Sequence, residues 1–285
     1  MPRELDGYRY VGQIGVGARS TIAQVVRITS GQYFAVKRVV RRSAEDDAFL
    51  RQAENEYAVC ARIDHPALRR CFELQRRKKW LRTAELLVIM EFVTGKTLEH
   101  ARPTDLAETI GVFRRVATGL NALHQAGFVH ADIKPNNILL TDKREVKIID
   151  FGQSCPIGHK KDRIQGTPDY IAPEQVRRLP LDRRTDVFNL GATLYWVLTE
   201  RTYPTAIRQT VRPGSHEVVG ATRAPKELLP AIPAALSTLV MDCCKDNPDE
   251  RPPDMPRFIA RLDVAEQMWQ RAAATALESE PSPPP

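Results

Sequence analysis

Several things are missing from this chain, and each absence removes a class of protein. No apolar run approaches the roughly 18 residues that a membrane-spanning helix needs. The first residues, M-P-R-E-L-D-G-Y, carry no signal-peptide core. The five cysteines are an odd count without disulfide-like spacing, which fits a reducing cytoplasm rather than a disulfide framework. Neither sign of charge dominates: 42 Lys plus Arg stand against 35 Asp plus Glu, a formal net charge of +7. That excess does not argue for nucleic acid; a phosphate site and a solvated surface account for it. There is no internal repeat. What remains is a chain of 285 residues, 42% hydrophobic, able to build a real core in two lobes or two small domains. Its end, E-S-E-P-S-P-P-P over 278–285, reads as disordered.

The chemistry concentrates in residues 129–152, V-H-A-D-I-K-P-N-N-I-L-L-T-D-K-R-E-V-K-I-I-D-F-G. Two apolar runs, 138–140 and 146–149, flank the polar stretch 141–145 and predict a β-hairpin. A hairpin folds its ends together, so Asn137 and Asp150 are expected side by side. A carboxylate beside an amide oxygen makes a hard-oxygen site for Mg²⁺. Asp132 lies five residues before Asn137, across a turn holding Pro135, and should point at whatever enters from outside.

This stretch resembles the catalytic and metal loops of the protein kinases, H-R-D-L-x-x-x-N followed by D-F-G. Here the loops read H-A-D-I-K-P-N-N and D-F-G, with Ala131 where the family carries Arg. Lys134, two residues after Asp132, is similar to the serine/threonine subclass. The resemblance implies an α+β, two-lobed fold: a small, mostly antiparallel β N-lobe with one main helix, a larger mainly helical C-lobe, and an ATP cleft at the hinge. It implies that Asp132 orients the acceptor hydroxyl and takes its proton, that Lys134 neutralises the γ-phosphate, and that Asn137 and Asp150 hold Mg²⁺, or Mn²⁺ in its place.

Other segments carry the same resemblance. Gly15-Val16-Gly17-Ala18-Arg19-Ser20, between strand-like runs 8–14 and 22–28, is similar to the family's Gly-rich loop, with Ser20 for its third glycine. By itself it fits either a turn whose two glycines let backbone N–H groups approach phosphate or an ordinary hairpin. Residues 33–40 alternate as a strand, so Ala35 and Lys37 share a face. The resemblance implies that Ala35 packs on adenine and that Lys37 reaches the α/β-phosphates. Residues 44–63 have helical character, without Gly or Pro. Counting back from His65-Pro66 favours Glu56 as the partner of Lys37 over Glu54; two apart on a helix, only one can face the lysine. Strands are expected over 67–74 and 86–92, joined by a connection carrying Arg76, Arg77, Lys78, Lys79 and Arg82. That connection is either a docking site for an acidic partner or a solvated hairpin tip. Residues 87–92 resemble the strand entering the hinge, with Met90 as gatekeeper and the backbones of Glu91 and Val93 bonding adenine. Ile14, Gly15, Gly17, Ile22 and Leu139 complete the implied nucleotide lining.

Asp105 and Glu108 open a helix with a capping-box pair. Its apolar stripe, Leu106, Ile110, Phe113, Ala117 and Leu120, stops at Gly127. Residues 166–174, G-T-P-D-Y-I-A-P-E, resemble the family's segment ending in A-P-E. Carried over residue by residue, Thr167 would bond Asp132 and Lys134, and Glu174 would pair with Arg251. Asp186, in a helix running to Leu198, would bond the catalytic-loop backbone. Arg177, Arg178, Arg183 and Arg184 sit near the expected acceptor groove and point to acidic acceptors.

The resemblance spans residues 8–268. The expected organisation is an N-lobe over 1–93, a C-lobe over 94–268, and a helix end with a Pro-rich tail over 269–285. The expected activity is that of a cytoplasmic serine/threonine protein kinase acting on protein substrates, without nucleic acid. A pseudokinase would usually lack Lys37, Asp132 or Asp150, all present here. A small-molecule phosphotransferase shares H-x-D and Asn but lacks the Gly-Thr-Pro…Ala-Pro-Glu segment.

Overall fold

The structure is a computed structural model that describes residues 4–17, 19–79, 82–207 and 222–278. The expected disordered tail lies outside them from residue 279, as does Ala18 of the glycine turn. Packing divides the chain into two compact units, Met1–Thr97 with Asn137–Ser154, and Leu98–Asn136 with Cys155–Pro285.

The first unit is built on a six-stranded antiparallel sheet in the order β1-β2-β3-β4-β6-β5. The strands are β1 (Glu4–Leu5), β2 (Tyr8–Val16), β3 (Ser20–Arg27), β4 (Tyr33–Val40), β5 (Cys71–Lys79) and β6 (Arg82–Glu91). Alternation along β4 sorts its two faces. Phe34 and Val36 join Leu5, Tyr8, Val25, Leu87 and Ile89 in one apolar cluster. Ala35 and Lys37 take the opposite face. Helix α1 (Asp47–Cys60) follows a short 3₁₀ turn, Ala44–Asp46. It buries Leu50, Ala53, Glu56, Val59 and Cys60.

Two sequence expectations shift here. Residues 67–70 are not a strand; Leu68 makes a single parallel bridge to Ile148. The basic residues expected at a hairpin tip lie on the strands, because β5 runs out to Lys79 and β6 starts at Arg82. Carboxylates lie beside two of them: Arg76 meets Glu54, and Arg77 lies near Asp6 and Glu85, which also pairs with Arg38.

The hairpin 138–148 also belongs to this unit, where the sequence reading placed the catalytic and metal loops together after residue 93. Strand β7 (Gly95–Thr97) pairs with β9 (Ile138–Thr141), which pairs with β10 (Val146–Ile148). Gly95, at φ 153°, lets the two backbones touch: a Cβ there would collide with the Leu140 carbonyl. Ile148 N donates to Ala67 O at 2.7 Å, and Arg69 N donates to Ile148 O at 3.0 Å.

The second unit is mainly helical. Helix α2 (Leu106–Gln125) is capped by Asp105, whose side chain accepts from Glu108 N. The reciprocal bond goes one residue earlier than a capping box requires, from Thr104 N to the Glu108 carboxylate. Ile110, Phe113, Ala117 and Leu120 are buried, and Gly127 follows the helix at φ 87°. Further elements among the described residues are β8 (Phe128–Val129), paired with β11 (Cys155–Pro156), then α3 (Pro173–Val176), α4 (Arg183–Thr199), α5 (Pro225–Leu228), α6 (Ala234–Cys243) and α7 (Met255–Glu278). Arg114 of α2 ties to Asp263 and Glu266 of α7. Among the described residues, no helix is long and apolar enough to cross a membrane.

Candidate active site

The sheet of the first unit assembles one set of groups. Ile22 of β3 stands directly opposite Lys37 of β4, and Gly15 of β2 stands opposite Ile22. Ala35 lies two residues from Lys37 on the same face, opposite Met90 of β6. Direct cross-strand partners share a face, so register alone gathers Gly15, Ile22, Ala35, Lys37 and Met90. Met90 is wholly buried, whereas Ile14 is half exposed. Gly15 continues β2, so the turn itself closes from Gly17 N to Ser20 O at 2.8 Å. A side chain at Gly17 would crowd the Ser20 hydroxyl. Glu91 and Val93 follow Met90 and are half buried, with the Glu91 carboxylate paired to Lys147. Leu139 alternates out of the face that buries Ile138 and Leu140.

A charge relay runs beside this face. Lys37 Nζ lies 2.6 Å from Glu56 Oε2 and 3.2 Å from Asp150 Oδ1. Burial works against the ammonium, but Glu56 and Asp150 outweigh it and hold the Lys37 pKa above its ordinary value. The other Glu56 oxygen accepts from Arg69 Nη2 at 3.0 Å. Arg69 was not singled out from sequence, because it lies outside every motif. It leaves the wholly buried Glu56 carboxylate with a cation on each oxygen. Glu54, the alternative to Glu56, points away and pairs with Arg76.

The hairpin carries the oxygen donors. Ile138 pairs with Ile148, and Ile149 N donates to Asn137 O at 2.9 Å, so Asn137 and Asp150 stand at the same end of β9 and β10. Asp150 takes a left-handed conformation, φ 64°, and immediately precedes the 3₁₀ turn Phe151–Gln153. No cluster of three or more His, Cys, Asp or Glu groups able to hold a metal exists among the described residues. One carboxylate and one amide oxygen suit Mg²⁺, which keeps waters and takes phosphate oxygens rather than an all-protein cage.

The second unit holds another set. Thr167 Oγ1 donates to Asp132 Oδ1 at 2.8 Å, Lys134 Nζ donates to Asp132 Oδ2 at 3.0 Å, and Lys134 Nζ donates to Thr167 Oγ1 at 2.6 Å. The three side chains close a triangle around one carboxylate. Its loop is held from below by Asp186, whose two oxygens accept His130 N and Ala131 N, each at 2.8 Å. Asp186 also meets His124 Nε2 at 2.7 Å, a partner that sequence reading did not identify. Its signal was present: His124 lies in the last turn of α2, six residues before His130. Burial would raise the Asp186 pKa, but the His124 hydrogen bond, the nearby histidines and the backbone N–H of His130 bring it below the ordinary value.

Ala131 is buried and left-handed, φ 59°. Its carbonyl accepts from Gln175 Nε2 at 2.8 Å, and the same amide reaches Gln165 O at 3.2 Å. Lys161 is buried in the field of Cys155, Asp132 and Asp186; burial lowers its pKa while those three oppose the shift. Glu174 and Arg251 form a two-point ion pair. Three of the four arginines expected to face acidic acceptors are engaged within the unit: Arg177 with Asp246, Arg184 with Asp182 and Asp249, and Arg178 with the Asp162 carbonyl; Arg183 is exposed.

Comparison with known proteins gives the family. A family model described as "Protein kinase domain" matches residues 8–262. The chain is 27% identical over 252 residues to a probable serine/threonine-protein kinase of Clostridium acetobutylicum, covering 86% of this chain and 37% of that protein. It is 29% identical over 266 residues to a probable serine/threonine-protein kinase of Streptomyces coelicolor, covering 88% and 38%. It is 32% identical over 203 residues to the serine/threonine-protein kinase PknL of Mycobacterium tuberculosis, covering 68% and 50%. The chain thus spans half or less of the length of these curated relatives.

Proposed function

The chain belongs to the protein kinase domain family, and on that premise we propose that it transfers the γ-phosphate of MgATP to serine or threonine hydroxyls of protein substrates. Lys37, oriented by Glu56, binds the α/β-phosphates. Ile14, Gly15, Gly17, Ile22, Ala35, Met90, Glu91, Val93 and Leu139 line the nucleotide. Asn137 and Asp150 hold Mg²⁺, with Mn²⁺ a chemical substitute; the bound cation neutralises phosphate charge. Asp132 orients the acceptor hydroxyl and receives its proton. Lys134 stabilises the charge on the transferred group. This is catalysis by positioning and preorganised charge.

The observation that carries the reading is the triangle of Asp132, Lys134 and Thr167. Thr167 stands in the Gly-Thr-Pro…Ala-Pro-Glu segment that small-molecule phosphotransferases lack. Through Thr167, that segment touches the same carboxylate that handles the acceptor. The five cysteines are free and buried, which supports the cytoplasmic setting. The expected acidic docking partner belongs to the same proposal. It rests on exposed Lys78, Lys79 and Arg82, since Arg76 and Arg77 already face carboxylates.

The test offers γ-labelled ATP with a mixed Ser/Thr peptide library and, separately, with aminoglycosides and sugars. Label on peptide serine or threonine is the expected result. Label on the small acceptors alone, or MgATP binding without transfer, overturns it.

A further inference from the structure

We infer that Asn55 is a positioning residue for the metal loop, its side-chain amide clamping the backbone that follows Asp150 to helix α1. The inference rests on the kinase reading above. Asn55 Nδ2 reaches the carbonyl oxygen of Ser154 at 2.7 Å, of Phe151 at 3.3 Å and of Gly152 at 3.4 Å. An amide nitrogen has two protons to give. Ser154 O therefore takes the short bond, and the other two carbonyls share the second proton. The loop closes on itself at the same point, with Ser154 N donating to Phe151 O at 3.0 Å. It also runs close to the helix: a Cβ added at Gly152 would stand 3.6 Å from both Gln52 Cβ and Gln52 O.

The clamp has something to hold. Asp150 sits at φ 64°, a left-handed conformation that is costly for a residue with a side chain and persists only where neighbours impose it. Lys37 fixes the carboxylate from one side at 3.2 Å, and Asn55 fixes the backbone from the other. Asn55 is also the sequence neighbour of Glu56, whose carboxylate orients Lys37. One turn of α1 thus sets both the lysine's partner and the loop's path. A movement of α1 that drew Glu56 from Lys37 would strip the donor from the three carbonyls as well.

The test compares wild type with Asn55→Ala in two readouts. In metal-free protein, amide hydrogen exchange over 151–154 should quicken by about fivefold to thirtyfold, as for the loss of one or two hydrogen bonds. The Mg²⁺ concentration for half-maximal binding of a non-hydrolysable ATP analogue should rise by a factor in the same range. The melting temperature should stay near that of wild type. Should Asn55→Ala not fold, Asn55→Leu, likewise branched at Cγ and a better helix former, carries the same test. If wild type fails to bind the nucleotide, the kinase reading fails, and the exchange rates still judge Asn55. Exchange over 151–154 within twofold of wild type in a folded variant overturns the inference.

Discussion

Arg251 meets Glu174 with both arms of its guanidinium: Nη1 lies 2.8 Å from Oε1 and Nη2 lies 2.9 Å from Oε2. Both side chains are buried. Arg251 also donates to the carbonyls of Lys245, Arg184 and Asp246, and Glu174 Oε1 accepts from Thr185 Oγ1 at 2.9 Å. The pair ties the end of the segment that carries Thr167 to the chain entering α7.

Breaking that pair leaves an uncompensated buried charge. Glu174→Gln or Arg251→Met should lose about 3–5 kcal/mol of folding stability. Urea denaturation measures it, and a loss below about 1 kcal/mol would contradict the ion pair's structural role.

Much of this was legible in the sequence because it is local or periodic. The alternation of Phe34, Ala35, Val36 and Lys37 fixed which face the lysine takes, and the hairpin 138–148 followed from two apolar runs around a polar turn. Helical geometry allowed only one of Glu54 and Glu56 to face Lys37, and the count back from His65-Pro66, a landmark of the resembled family, chose Glu56. What the sequence hid are contacts made by residues with no periodic signature. Arg69, Asn55 and Gln175 are single polar side chains reaching across loops to a carboxylate or to carbonyls. The length of β5 was hidden for a related reason. Charged residues read as a tip, yet carboxylates on α1 and β6 pair with Arg76 and Arg77.

Activity should be nearly independent of activation-segment phosphorylation. Ala131 replaces the arginine that would receive a loop phosphate through a charge-assisted contact. Ser154 is the one hydroxyl residue in 153–165. It is 4% exposed, and its carbonyl is held by Asn55. Thr167 is committed to Asp132 and Lys134. Phosphatase treatment of purified protein should leave most activity intact; a tenfold fall would contradict this.

Two of the perturbed groups set opposite pH edges. Asp186 has a folded pKa below its unfolded value of about 3.9, so its stabilisation is present at neutral pH and lost as pH falls below about 4. Lys37 has a folded pKa above its unfolded value of about 10.4, so its contribution is complete below that pH and lost above it. Melting temperature against pH should show both limbs. Asp186→Asn should flatten the acid limb, and Lys37→Met the alkaline one.

The central claim is that Asp132 and Asp150 carry phosphoryl transfer. Its direct measurement is the rate of label transfer from γ-labelled MgATP to peptide serine or threonine, in wild type and two variants, with contaminating kinase excluded. Asp132→Asn should cost on the order of 10²–10⁴ in turnover, as for a lost general base. Asp150→Asn should remove most activity, and raising Mg²⁺ should recover part of it. Wild-type rates in either variant would contradict the account.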